Sequence, residues 1–167
     1  MQDLAPQELD VEGLHARQGI QRRTLRSGLP SRRGALRLYP PAWALARVAV
    51  RDCSLLGTPI RAGTAVLFSQ WVLHRDPRFF AEPERFDPER WMDDRTARLP
   101  RGAYFLFGAG PRLCIGNTFA LMQATLLLAT IARRFRLEPS PGAPPVRPRP
   151  DVVLRPEPGV WMIPRPR

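Results

Sequence analysis

The stretch that decides the fold is Phe107-Gly108-Ala109-Gly110-Pro111-Arg112-Leu113-Cys114-Ile115-Gly116, which runs directly into Asn117-Thr118-Phe119-Ala120-Leu121. Gly108 and Gly110 permit the positive φ that a tight backbone path demands. Cys114 closes this loop and stands at the threshold of a helix expected over residues 115–134. The free N–H groups and partial positive charge of a helix N-terminus favour thiolate over thiol, and Arg112 adds a cation two residues away. Gly116 removes a side chain where a flat ligand, or the helix itself, comes close. A thiolate held in this way is an electron-rich metal ligand. The plainer alternative is a structural cysteine buried in an ordinary loop.

Outward from the loop, the helix is apolar nearly all round from Phe119 to Ala132, which predicts burial on most of its sides. On the N-terminal side, residues 76–101 are rich in charge and proline with little periodicity. They predict an irregular, ordered meander anchored by Phe79, Phe80, Phe86 and Trp91. Before it, a helix end from Ala35 is stopped by Pro40-Pro41. Residues 44–50 alternate as a strand, and Gly57 and Gly63 bracket short extended pieces at 58–60 and 64–68. Residues 70–73 suit one helical turn. Residues 1–33 are polar and weakly periodic, and Gly28-Leu29-Pro30-Ser31 is expected to break any helix there. The tail from Pro139 holds ten of the chain's 20 prolines, yet residues 151–154 and 160–163 still predict edge strands. No internal repeat is visible.

Composition narrows the function classes. The chain has 167 residues, 44% hydrophobic, with two cysteines. That length bounds it to one domain with a real core and excludes a collagen, a disulfide-dense module or wholesale disorder. No apolar run reaches the roughly 18 residues of a spanning helix. The first ten residues offer no secretory h-region, so a cytoplasmic location with no membrane association is expected. The formal net charge is +11, and all 26 basic residues are arginine. These are spread from Arg17 to Arg167 without a run longer than two, unlike the clustered stripe of a nucleic-acid binder; no nucleic-acid partner is expected.

The spacing Phe-x-x-Gly-x-Arg-x-Cys-x-Gly is filled at all five positions by Phe107, Gly110, Arg112, Cys114 and Gly116. It resembles the haem-binding signature of the cytochrome P450 family. Ala35-Leu36-Arg37-Leu38-Tyr39-Pro40-Pro41 is similar to the end of that family's K helix. His74-Arg75-Asp76-Pro77 resembles the segment after it, Pro88-Glu89-Arg90-Trp91 the meander box with Trp for Phe, and Leu154-Arg155-Pro156 a late strand. The resemblance implies an α+β, mainly helical fold, the C-terminal part of the cytochrome P450 fold over residues 34–167, after a non-family segment at 1–33. It implies haem b as cofactor, with Cys114 the axial ligand of its iron. Phe107 would pack near the ring and the sulfur, Arg112 and Arg47 would meet the propionates, and Gly110 and Gly116 would shape the cradle. A solvated strand charge is the plainer reading of Arg47. The implied activity is O2-dependent monooxygenation of a small organic substrate, with electrons from a ferredoxin- or flavin-type donor.

Two features depart from the pattern. Arg37 and Arg90 resemble two members of the family's Glu–Arg–Arg triad, but the glutamate's position holds Gly34. Either Glu89 or Asp87 replaces that carboxylate, or the packing is altered, or the protein is compromised. Gln123 stands where the family's last helix often has glutamate. Nothing in residues 1–33 resembles the oxygen-activating helix, so no catalytic residue is identified, and the isolated chain is expected to be inactive or impaired; the alternative is a non-catalytic remnant with weak or no haem binding. The loss of resemblance just where the glutamate is missing suggests that residues 1–33 derive from a shifted reading frame. Cys53 is expected to be a free, partly buried thiol. His15 and His74 are expected to be surface or satisfied histidines.

Overall fold

The computed structural model describes residues 28–92 and 98–167. The expectations for His15 and for most of the first segment lie outside these residues. Helix α1 spans Gly28–Leu38. It overturns the expected break at Gly28–Ser31, since the helix includes Pro30. α1 ends ahead of Pro40-Pro41, as proline dictates.

Two antiparallel units follow the same plan, each an outer strand pair around an inner hairpin. In the first, β1 (Leu45–Val48) pairs with β4 (Ala65–Phe68), and β2 (Cys53–Leu55) with β3 (Thr58–Ile60). The inner turn is Leu56-Gly57, both at positive φ (49° and 83°), the two-residue geometry that suits a hairpin's twist and favours glycine at its second position. In the second unit, β5 (Phe135–Pro139) pairs with β8 (Met162–Pro166) around β6 (Arg147–Pro150) and β7 (Leu154–Glu157). The tail's strands therefore begin two to three residues later than their side-chain pattern suggests. β2, β5 and β6 were not legible as strands.

Between β4 and the meander lies α2 (Gln70–Leu73), one turn capped by Ser69, whose hydroxyl accepts from Val72 N at 3.3 Å. The meander is irregular as expected, apart from a 3-10 turn at Pro88–Trp91, with Asp87 accepting from Glu89 N at its start. The core gathers where α1, α2 and the meander meet the segment before the loop. Phe80 is wholly buried, 6.5 Å from the Trp91 ring between centroids, and Leu38, Trp91, Ala103 and Leu106 are buried too.

Helix α3 (Asn117–Arg134) contradicts its expected burial. None of its residues is buried, and Phe119, Met122, Leu126, Leu127, Leu128 and Ile131 are all exposed. The apolar pattern marks surfaces that want cover, and the described residues do not provide it. They touch one stripe of the helix, where Arg32 donates to Leu121 O and Thr125 Oγ1. Gln123 is exposed, so its difference from glutamate disturbs no buried network.

Candidate haem-thiolate site

The loop is held at both ends. Gly108 and Gly110 take φ of 79° and 68°, angles that Cβ sterics disfavour for other residues. Gly108 N–H donates to Phe105 O at 2.9 Å, and Cys114 N–H reaches back to Phe107 O at 2.9 Å. The second bond closes the loop and fixes the cysteine relative to Phe107. Gly110–Arg112 form a 3-10 turn, and α3 begins three residues beyond Cys114.

Cys114 is a free, exposed thiol. A Cβ added at Gly116 would meet only the Cys114 sulfur, at 3.9 Å, and otherwise open space. Leu113, Ile115, Phe119 and Met122 are exposed beside it. Phe119, Met122 and Leu126 follow the i, i+3, i+7 spacing of a single helix face, so α3 carries an apolar stripe beyond the loop. A soft sulfur donor beside exposed apolar side chains, with no bulk at Gly116, fits the face of a flat apolar macrocycle. Among the described residues no cluster of three or more His, Cys, Asp or Glu could hold a metal ion.

Arg112 is exposed and has no ion-pair partner among the described residues. Arg47 is exposed on β1, its guanidinium turned to its neighbour's carbonyl, Ala46 O, at 2.8 Å. The structure brings β1 to the loop: a Cβ on Gly108 would lie 3.5 Å from Leu45 Cδ1, and Leu45 and Arg47 share a strand face. Phe107 is half-buried at the loop's start. Cys53, by contrast, is exposed on the inner hairpin, not partly buried, as are all three residues of β2.

The missing glutamate has a structural answer. Neither Asp87 nor Glu89 bonds to Arg37. Three main-chain carbonyls receive its guanidinium instead: His74 O (2.7 Å), Pro83 O (2.6 Å) and Arg85 O (3.0 Å). The Phe80 ring lies 5.1 Å from its charge. Burial, then the Arg90 and Arg75 cations, push its pKa down to about 10. Arg90 likewise turns to Ala81 O at 2.8 Å. Near Gly34 the Phe86 ring has closed in, 3.0 Å from where a Cβ would stand. Among the described residues, the Nε atoms of Arg37 and Arg90 and the Trp91 indole N–H are buried without a hydrogen-bond partner.

The fold and this loop define a protein of helices and small sheets with an exposed cysteine at the end of a closed glycine loop. Residues 34–163 match the model of the cytochrome P450 family, and the chain belongs to that family. It is similar to cyclooctatin synthase of Streptomyces melanosporofaciens, at 47% identity over 80% of this chain and 28% of the relative. It is also similar to cyclooctat-9-en-7-ol 5-monooxygenase of the same organism, at 50% identity over 65% of this chain and 24% of the relative. Among solved structures, CYP175A1 from Thermus thermophilus superposes with a TM-score of 0.75 at 40% identity, covering 91% of this chain and 38% of that one. The chain thus spans about a quarter of the length of the curated relatives it matches. Family membership implies a haem. Among the described residues no helix is long and apolar enough to cross a membrane.

Proposed function

We propose that this chain carries the proximal, cysteine-bearing wall of a haem-thiolate monooxygenase. The observation that carries the reading is the closed loop that leaves the Cys114 sulfur exposed above a glycine, with an apolar stripe on α3 beyond it. Cys114 would ligate the iron of haem b, Phe107 would pack against ring and sulfur, and Arg112 and Arg47 would pair with the propionates as charge-assisted donors. Gly110 and Gly116 keep bulk out of the ring's path. A thiolate-ligated haem supplies O–O bond cleavage, the basis of monooxygenation. The chain's own task is narrower: it holds the sulfur at a fixed place and direction and anchors the ring's edge.

The substrate would be a small organic molecule, as the names of the relatives suggest. The electron donor would be a ferredoxin- or flavin-type protein meeting the arginine-rich surface, and the location cytoplasmic. Oxygen activation also needs a dry distal pocket, and the described residues supply only one wall. The 167-residue chain alone is therefore a poor hydroxylase. A second reading, a remnant that binds haem weakly or not at all, is favoured by Gly34, which leaves an arginine pair without its carboxylate.

One experiment separates the two readings: the absorption spectrum of the haem-reconstituted, reduced, carbon-monoxide-bound chain beside Cys114→Ala. A red-shifted thiolate-type Soret band that the substitution abolishes is expected. A free-haem or histidine-type spectrum in both proteins overturns the proposal and leaves the remnant.

A further inference from the structure

The segment leading into the loop is gripped by one helical turn. Gln70 and His74 are both wholly buried, a rare state for polar side chains, and they flank α2 four residues apart. His74 Nε2 accepts the main-chain N–H of Phe105 at 3.2 Å, and Gln70 Nε2 donates to Leu106 O at 3.4 Å. Between them they occupy a donor and an acceptor on successive residues, immediately before Phe107. From Phe107 O the path to the ligand is a single hydrogen bond, to Cys114 N–H.

The surroundings hold His74 in this role. Its ring lies 4.9 Å from Tyr104 and 5.6 Å from Phe105, centroid to centroid, with Phe80 at 6.4 Å. Its carbonyl accepts from Arg37. The charged and titratable groups facing it are Arg37 from α1, the adjoining Arg75 and Tyr104. Burial, opposed by a main-chain hydrogen bond at Arg37 and helped by the two cations, keeps the imidazole neutral, with its pKa lowered to about 4. Only a neutral imidazole has a lone pair on Nε2 with which to accept. Among the described residues Gln70 Oε1 is left without a hydrogen-bond partner. Packing alone would be met by apolar side chains that leave nothing orphaned, so the retained bonds to Phe105 and Leu106 point to positioning.

We propose that His74, with Gln70, is the positioning pair for the cysteine loop: it fixes the Phe105–Phe107 backbone and thereby sets where the Cys114 sulfur stands. This rests on the haem-thiolate reading only for its consequence, since the grip itself exists without haem.

The test uses the 167-residue chain with His74→Gln, His74→Asn and His74→Phe. Glutamine carries its amide oxygen where Nε2 was, asparagine only as far as Nδ1, and phenylalanine keeps the ring and its stacking but has no acceptor. In the haem-free chain, amide hydrogen exchange is read at Phe105 and Cys114, with Glu138 in β5, opposite Ile163, as a remote control. Phenylalanine and asparagine are expected to speed exchange at both sites about tenfold, the order of one lost hydrogen bond, with glutamine near wild type and Glu138 unmoved. If phenylalanine protects as well as or better than glutamine, the ring serves packing alone and the proposal is overturned. After haem reconstitution, the carbon monoxide complexes should rank in the same order by their fraction of thiolate-type band. A wild-type chain that lacks that band while keeping the exchange order defeats the haem reading and not the grip. A thiolate band equal in all four proteins defeats the proposed consequence and leaves the haem reading standing.

Discussion

Restoring a carboxylate at position 34 tests the account of the arginine cluster. Gly34 lies one turn before Arg37 on the same face of α1. A Cβ there would sit 3.6 Å from the Trp91 indole nitrogen and 3.0 Å from Phe86 Cε2. Gly34→Ala isolates two opposed terms. Removing a mid-helix glycine gains about 1 kcal/mol, while crowding Phe86 costs about 1–3 kcal/mol; a result between neutral and slightly destabilising follows. Gly34→Gln and Gly34→Glu share those terms and nearly share a shape, so their difference reports charge. The glutamate gains unpartnered donors on Arg37, Arg90 and Trp91. Charge-assisted bonds contribute about 1.5–3 kcal/mol each, and desolvating a carboxylate costs several kcal/mol. A net advantage of about 2 kcal/mol for glutamate over glutamine follows. Urea unfolding at pH 7 reads it as a raised midpoint at unchanged slope. A carboxylate paired with arginine has a depressed pKa, so the advantage is present above about pH 4.3 and disappears as pH falls through the folded value. The reasoning is refuted if glutamate and glutamine unfold together at pH 7, or if Arg37→Met in the Gly34→Glu background leaves the advantage intact.

Other outcomes follow from the same contacts. Arg37→Met strips three buried carbonyls of their donor and should cost about 3 kcal/mol, seen in the urea midpoint, because the relief of a buried cation offsets part of the loss. His74 titrates at about 4 in the folded chain against 6.5 unfolded, so the unfolded state takes up its proton first as pH falls. Stability should then drop by about 3 kcal/mol between pH 6.5 and 4, and His74→Phe should flatten that part of the curve. Phe80→Ala, in the middle of the core, should cost about 3–5 kcal/mol. Leu126→Ser on exposed α3 should change the unfolding free energy by less than about 0.5 kcal/mol while reducing concentration-dependent association in sedimentation velocity.

What the sequence made legible was local. Gly108, Gly110 and the step from Cys114 into a helix are chemistry of adjacent residues, and they are read without knowing what lies opposite. The turn at Gln70–Leu73 and the meander's aromatic anchors belong to the same class. The reading failed where partners come from afar. Pro30 was read as a breaker, yet α1 includes it, because neighbours of this helix outweigh a local preference. β5 and β6 become strands because β8 and β7 pair with them. The roles of Gln70 and His74 depend on Phe105 and Leu106, more than thirty residues on. A buried polar residue inside an apolar run, such as Gln70 before Trp71-Val72-Leu73, was the available signal, since such a residue is kept inside only when something bonds it.

The same distinction explains why the cysteine loop stays in place although the helix behind it is bare. The loop's geometry rests on bonds to α2 and on its own closing hydrogen bond, none of which involves α3's exposed faces. Its position relative to Phe105 is set by buried polar contacts, whose loss carries an unsatisfied-group penalty. The exposed leucines of α3, by contrast, represent burial still available to a covering surface, at about 25 cal/mol per Å2. The ligand can thus be pre-positioned before the apolar surface beside it is covered. On the proposed reading, Gln70, His74 and Phe107 set the sulfur's place, while the apolar stripe from Phe119 to Leu126 adds affinity for a covering surface. Substitutions in the first group should then change the character of a bound haem, and substitutions in the second how tightly a covering surface is held.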